Sequence, residues 1–455
     1  MGFSLIDSDS GAVPIAVLRK DGLAAWREQA PRHEREWVKR IGFAADPDKT
    51  ALVPGPDGSL ARVLVGGADE PMWTLAGLSE SLPDGDYRLD SIPDGTDASR
   101  VALGWALGTY AFTRYHGKKP GGARLAWPEA ADRGLVDRLA EAVFLARDLI
   151  TTPASDLGPE ELAAAAERVA ASVGAKYRVV VGDELLRENY PTIHAVGRAS
   201  TRAPRLVDIV WGDETAPKVT LVGKGVCFDS GGLDLKPASG MLNMKKDMAG
   251  AAIVLALGQA IAKAGLKVRL RVLMPCVENA VSGNAMRPRD IVRTRKGLTV
   301  EIGNTDAEGR LILCDALAEA ARESPAMIVD IATLTGAARV ALGPELPALF
   351  CNDDALAGGL IAAGAAEDDP LWRMPLWRPY RRNLDSKIAD LNNVSEGPHG
   401  GGITAALFLD EFVAGLPWAH LDVMAWNTRS RPGRPEGAEA QTLRALYAYI
   451  AGRFG

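Results

Sequence analysis

The chain has 455 residues, 47% of them hydrophobic and 24% charged, a size that predicts at least two domains and a composition that excludes a disordered or fibrous chain. Its formal net charge of -6 supplies no overall basic field for nucleic acid or an anionic membrane, so peptides or small molecules are the expected partners. Four cysteines, Cys227, Cys276, Cys314 and Cys351, show no C-x-x-C pairing and suggest neither a zinc knuckle nor a disulfide framework.

In chain order, the start MGFSLIDSDSGAVPIAV lacks a charged leader before an apolar core. Ile6 stands where a myristoylation signal after Gly2 would need Ser or Thr, so a cytoplasmic location is expected. The runs AVPIAVL, TALV and ARVLVG predict strands and ASRVALGWALGTYAF predicts a helix, together a small N-terminal α/β domain without a catalytic motif. The Gly/Pro/Lys-rich stretch HGKKPGGARLAWPE at 116 to 129 marks its end. The expected division is an N-terminal domain at 1–133 and a larger catalytic domain at 134–455.

A helix over RGLVDRLAEAVFLARDLIT leads into that second domain. Helix-like ELAAAAERVAASVG, MAGAAIVLALGQAIAKAG, EGRLILCDALAEAARE, TAALFLDEFVAG and AQTLRALYAYIAG then alternate with strand-like RVVVG, RLVDIVW, KVTLVG, VRLRVLMP, AMIVDIATL and AHLDVMAW. This alternation predicts an α/β fold whose mostly parallel sheet is flanked by helices, with ligands gathered beyond the carboxyl ends of the strands. The longest apolar run is interrupted by Gln259 and Lys263 and reads as a buried helix, so no membrane partner is expected.

Two segments crowd polar residues where a strand hands over to a helix. KVTLVGKGVCFDSGGLDLKPASGMLNMKKDMAGAA carries Lys224, Asp229, Lys236 and Asp247, and VEIGNTDAEGRLILCDAL carries Asp306, Glu308 and Arg310. Singly, a DSGG is an ordinary turn, acids at a helix start favour its dipole, and a lysine is normally solvated. Four carboxylates at one sheet edge would repel one another unless cations neutralised them, and two divalent ions balance four negative charges. An amine binds a metal only through its lone pair, so Lys224 as a ligand must be neutral, whereas Lys236 can keep its proton and polarise a carbonyl under attack.

GKGVCFDSGGLDLKP, MKKDMAGAA and NTDAEGRLIL resemble the signature segments of the leucyl aminopeptidase (cytosol aminopeptidase) family. The likeness continues through DIATLTGAARVALG, SKIADLNN, GGGITAALFL and WAHLDV, from about residue 146 to 426. The resemblance implies removal of N-terminal residues from peptides by a water activated by two metals, manganese or zinc. It assigns the metals to Lys224, Asp229, Asp247, Asp306 and Glu308, with Asp229 and Glu308 bridging. It makes Lys236 and Arg310 catalytic and puts a bicarbonate near Arg310, where a guanidinium fork suits a planar oxyanion. It further implies a homohexamer and an apolar pocket for the N-terminal side chain that includes Met244, Thr333 and Gly336.

Cys227 before FDSGG and the tail after WNTRSRPGRPEGAEAQT depart from the family pattern. The histidines His33, His116, His194, His399 and His420 lie outside both acidic segments and form no HExxH, so each is read as structural. A two-metal phosphoester hydrolase and a catalytically silent scaffold on the same fold are the alternatives.

Overall fold

The structure, a computed structural model, describes residues 3–67, 71–117 and 121–455. Gly2 and residues 118–120 of the expected boundary stretch lie outside the described residues. The chain forms two compact units, one of residues 1–144 with 429–436 and one of residues 145–428 with 437–455. The division falls inside the helix Arg133–Thr151.

In the first unit a six-stranded sheet runs in the order Leu5–Ile6, Ala123–Ala126, Gly85–Ser91, Val13–Leu18, Leu60–Gly66, Thr50–Pro54. Only the Thr50–Pro54 strand is antiparallel to its neighbour. Alternation along each strand sorts side chains to two faces. Ile15, Val17, Val63 and Val65 join Trp105 in one core, and Ala16, Leu18 and Leu64 join Val38 and Phe43 in another.

The second unit holds a nine-stranded sheet. Its centre is parallel: Trp418–Asp422, Met327–Ala332, Lys218–Gly223 and Arg269–Asn279 lie side by side. The departures from parallel are at the flanks, where Ala348–Cys351, Arg205–Trp211 and Lys176–Val181 each run antiparallel to a neighbour. Arg269–Asn279 is 11 residues long, enough for two partners in succession. Lys218–Gly223 pairs with its first part and Gly225–Asp229 with its last, and Lys224 stands at the break. Because the central strands point the same way, Lys224, Asp229, Asn279, Thr333 and Asp422 all fall at or just past carboxyl ends on one edge.

Helices cover the sheet. Ala249–Ala264 is apolar around nearly its whole circumference and is buried accordingly, ending at Gly265 with φ 66°. With the preceding turn it is the one described helix long and apolar enough to cross a membrane, yet 83% of its apolar window is buried.

Candidate metal and catalytic site

The break at Lys224 is held by backbone bonds to both neighbours: its N–H donates to the Ile331 carbonyl (3.0 Å) and its carbonyl accepts from Ala251 N–H (2.8 Å). The approach demands glycine, because a Cβ on Gly250 would lie 1.9 Å from the Ile331 oxygen. The Lys224 side chain, residue 3% exposed, runs over Gly309, where a Cβ would stand 2.6 Å from Lys224 Cε. Its Nζ ends 2.8 Å from Asp247 Oδ2 and 2.9 Å from Glu308 Oε1, and donates to the Thr333 carbonyl at 2.9 Å.

Asp229 ends its strand where the chain must turn sharply; Gly231 and Gly232 follow at φ 89° and 69°. Its Oδ1 accepts from Gly231 N–H and from Asn279 Nδ2, both at 2.9 Å, and its Oδ2 lies 2.8 Å from Lys236 Nζ. The turn is clasped to the 304–307 loop by Thr305, whose hydroxyl donates to the Gly231 carbonyl (2.6 Å) and accepts from Asp234 N–H (2.8 Å). Asp234 returns the contact by accepting from Thr305 N–H at 2.7 Å. That clasp brings Asp306 Oδ1 to 2.5 Å from Lys236 Nζ. Asp247, on the short 3-10 turn Met244–Met248, accepts the Thr333 hydroxyl at 2.6 Å.

The five expected ligands and Lys236 therefore stand together, and carboxylate oxygens of Asp229, Asp306 and Glu308 lie within 4.8 Å of one another. Burial and the facing Asp229 push the Asp306 and Glu308 carboxyls above their ordinary range. Burial works against the charge on Lys224 and Lys236, but the surrounding carboxylates outweigh it and raise both. Glu308 Oε2 is buried with no donor among the described residues, and Glu308 Oε1, Asp247 Oδ2 and Asp306 Oδ1 face only the two lysine ammonium groups, without normal hydrogen-bond geometry. Carboxylate oxygens so crowded and so sparsely supplied with donors suit hard divalent cations.

Arg310 sits in the first turn of Glu308–Ala321, 7% exposed, with Nη1 donating to the Asn393 carbonyl at 2.6 Å. Its Nε has no hydrogen-bond partner among the described residues, and burial draws its pKa down to about 10. Asn393, from the SKIADLNN segment, also accepts from Gly303 N–H (2.7 Å) and Asn304 N–H and donates to the Asn304 carbonyl (2.8 Å), so it fixes the loop that carries Asp306.

A cavity of about 380 Å³ opens beside this cluster. Met244, Thr333 and Gly336 line it with Lys224, Asp229, Lys236, Asp247 and Asp306; Glu308 and Arg310 do not. Thr333 does more than line the pocket, since it holds both Asp247 and Lys224. Asp422 also reaches the cavity, with its oxygens taken by Leu334 N–H, Thr335 N–H and the Thr335 hydroxyl. Lys246 is a further lining residue, and burial lowers its pKa to about 8. Sequence reasoning passed over Asn279, Thr305, Asn393, Asp422 and Lys246.

Cys227 is a buried thiol outside the cavity lining, raised in pKa by its burial. No histidine lines the cavity. His420 is buried against Asp330 at 2.6 Å and stacks on Trp418 and Phe350, while His194 meets Asp183 at 3.1 Å.

The model of the cytosol aminopeptidase family's catalytic domain matches residues 144–447, and that of the M17 aminopeptidase N-terminal domain matches residues 13–128. A probable cytosol aminopeptidase of Leifsonia xyli subsp. xyli is 39% identical over 471 aligned positions, covering 96% of this chain and 92% of the relative. The crystal structure of a cytosol aminopeptidase from Coxiella burnetii superposes with a TM-score of 0.96 at 48% identity, covering 99% of this chain and all of the other. The bottromycin maturation enzyme BotP in complex with Mn is similar at a TM-score of 0.87 and 36% identity, covering 97% of this chain and 99% of that one.

Proposed function

The chain belongs to the cytosol aminopeptidase family and is a metal-dependent aminopeptidase, and from that premise we propose that it works with two divalent ions, manganese or zinc, held by Lys224, Asp229, Asp247, Asp306 and Glu308. The observation that carries this reading is the convergence of the Asp229, Asp306 and Glu308 carboxylates within 4.8 Å of one another, with Glu308 Oε2 buried and left without a donor among the described residues. Asp229 and Glu308 would be shared between the two ions, and Lys224 would have to shed its proton to join them as a ligand. When bound, the two ions supply Lewis acidity toward the scissile carbonyl and make the attacking water a stronger acid.

The remaining roles belong to the chain's own groups. Lys236 keeps its proton, is aimed by Asp229 and Asp306, and donates toward the carbonyl oxygen as charge builds there. Arg310 offers its unused Nε to a planar oxyanion, and bicarbonate bound there would supply a base. Met244, Thr333 and Gly336 receive the N-terminal side chain of the peptide. We place this chemistry in residues 134–455 of a cytoplasmic homohexamer.

The test offers chelated and manganese- or zinc-reconstituted protein free aminoacyl amides, their N-acetylated forms and a phosphodiester. Metal-dependent cleavage confined to the free amides supports the proposal. Equal cleavage of acetylated and free substrates sinks the exopeptidase reading, phosphodiester cleavage alone selects a phosphoester hydrolase, and silence on all of them selects the scaffold.

A further inference from the structure

Lys246 lies on the turn Met244–Met248 and is 4% exposed, yet its ammonium makes no hydrogen bond or ion pair among the described residues. Its neighbour Lys245 shows what a satisfied lysine does here: it donates to the Thr151 carbonyl at 2.6 Å and lies over the Trp426 ring. Lys246 instead lines the cavity that Met244, Thr333 and Gly336 share. An ammonium group on so largely buried a side chain, left with only the cavity before it, is suited to a partner that enters that cavity.

The acids nearest to it are already engaged. Asp247 holds the Thr333 hydroxyl and Lys224, and both oxygens of Asp422 take donors from Leu334 and Thr335. The other ionisable groups facing Lys246 are the basic side chains of Lys224 and Arg339. Arg339, an exposed residue at the rim of the same cavity, sets Nη1 against the Met424 sulfur at 3.7 Å and has no carboxylate partner among the described residues. Away from the proposed metal ligands, the described residues of the cavity wall thus present two uncommitted cations and no uncommitted anion.

We propose that Lys246, with Arg339 beside it, makes the side-chain pocket selective for an acidic N-terminal residue, so that peptides beginning with glutamate or aspartate are the preferred substrates. The inference rests on the aminopeptidase reading and on the pocket assigned above. A leucine side chain would cover the Lys246 ammonium and leave it dry and unpaired. A carboxylate satisfies it, and a lysine or arginine side chain is repelled.

The experiment measures kcat/KM of the metal-loaded protein on matched glutamyl, aspartyl, leucyl, methionyl and lysyl amides. It also records the melting-temperature shift given by free glutamate and by free leucine, which needs no turnover. The expected result is an acidic amide at least about tenfold above leucyl, lysyl last, and a larger shift with glutamate. In Lys246→Met, checked for metal content, the glutamyl-to-leucyl ratio should drop by roughly tenfold to a hundredfold, with Lys246→Gln intermediate because it keeps a donor. A wild-type preference for leucyl over both acidic amides overturns the proposal, as does an unmoved ratio in a metal-replete Lys246→Met. If that variant does not fold, the wild-type ranking and the two melting shifts decide. Cleavage of no amide at all removes the aminopeptidase reading itself, an outcome distinct from leucyl turnover without acidic turnover.

Discussion

Lys224 and Lys236 stand among the same carboxylates in different settings. The first is wedged between Asp247 and Glu308, while the second lines the cavity with its side chain 15% exposed. Lys224→Ala should lose metal and activity together. Lys236→Ala should keep both ions and lose turnover by roughly a hundredfold to a thousandfold, the usual effect of removing one preorganised charge from a developing oxyanion. Arg310→Ala should also keep its metals and recover in part with added bicarbonate. Metal analysis and turnover of the three variants at saturating manganese decide the matter, and a metal-depleted Lys236→Ala beside a metal-replete Lys224→Ala would reverse the assignment. Gly309 gives a sharper residue-scale test. In a helix Ala normally improves on Gly, yet a Cβ here would press on Lys224 Cε at 2.6 Å, so Gly309→Ala should bind manganese more weakly by titration calorimetry. Charged residues in tight motifs made the cluster readable from sequence. Asn279, Thr305 and Asn393 were not, because a neutral hydrogen-bonder looks the same in any loop until its partners are known. Lys246 was hidden differently, since a lysine next to an aspartate ordinarily reads as a solvated pair.

Elements written as continuous apolar runs between turn signals, such as Ala249–Ala264 and Lys218–Gly223, were legible from residue pattern alone. Gly85–Ser91 escaped although Tyr87 and Leu89 alternate with Asp86, Arg88 and Asp90, since only two apolar residues carry the pattern. The helix expected over TAALFLDEFVAG stops at Asp410. Strand direction at the sheet flanks was invisible, because pairing partners are chosen by tertiary contacts rather than by local pattern. The segment that leads into the tail departing from the family pattern has its own internal logic. Glu439 is 6% exposed, accepts from Arg147 Nη2 at 3.1 Å and from Asn427 Nδ2 at 2.9 Å, and ties that segment to the helix Arg133–Thr151. Burial opposes its charge, but Arg147 prevails and the carboxyl titrates below its ordinary 4.5. A depressed acid adds stability that is present above its unfolded pKa and lost as pH falls through the folded one. Glu439→Gln leaves the Arg147 charge buried beside a neutral amide, a change costing about 3 to 5 kcal/mol when a buried pair loses one partner. The melting temperature should drop clearly at pH 7, and the gap to wild type should narrow below about pH 4.5. A gap that stays constant across that range would show that the pair's charge contributes nothing.

At the scale of the molecule, the two-unit plan was legible because the catalytic motifs and the alternating pattern begin only after the Gly/Pro-rich stretch. Assembly is the property a single chain carries least openly, and here the surface of the second unit supplies the argument. The segment from 372 to 388 exposes Trp372 (56%), Trp377 (56%), Tyr380 (37%) and Ile388 (63%). In the same segment Arg373, Arg378 and Arg381 are already paired to Asp354, Asp410 and Glu411, so the exposed apolar side chains alternate with arginines whose charge is balanced. Apolar side chains so concentrated are the usual anatomy of an interface between chains. Together with the homohexamer implied by family resemblance, this predicts that size-exclusion chromatography with light scattering finds six chains per particle. Trp377→Asp combined with Ile388→Asp should shift the particle to smaller species, because an unpaired charge at the centre of an interface costs far more than one at its rim. The variant's metal content should stay near wild type, since neither residue touches the metal ligands. A wild-type protein that is monomeric at micromolar concentration and fully active would remove assembly from the account of how this enzyme works.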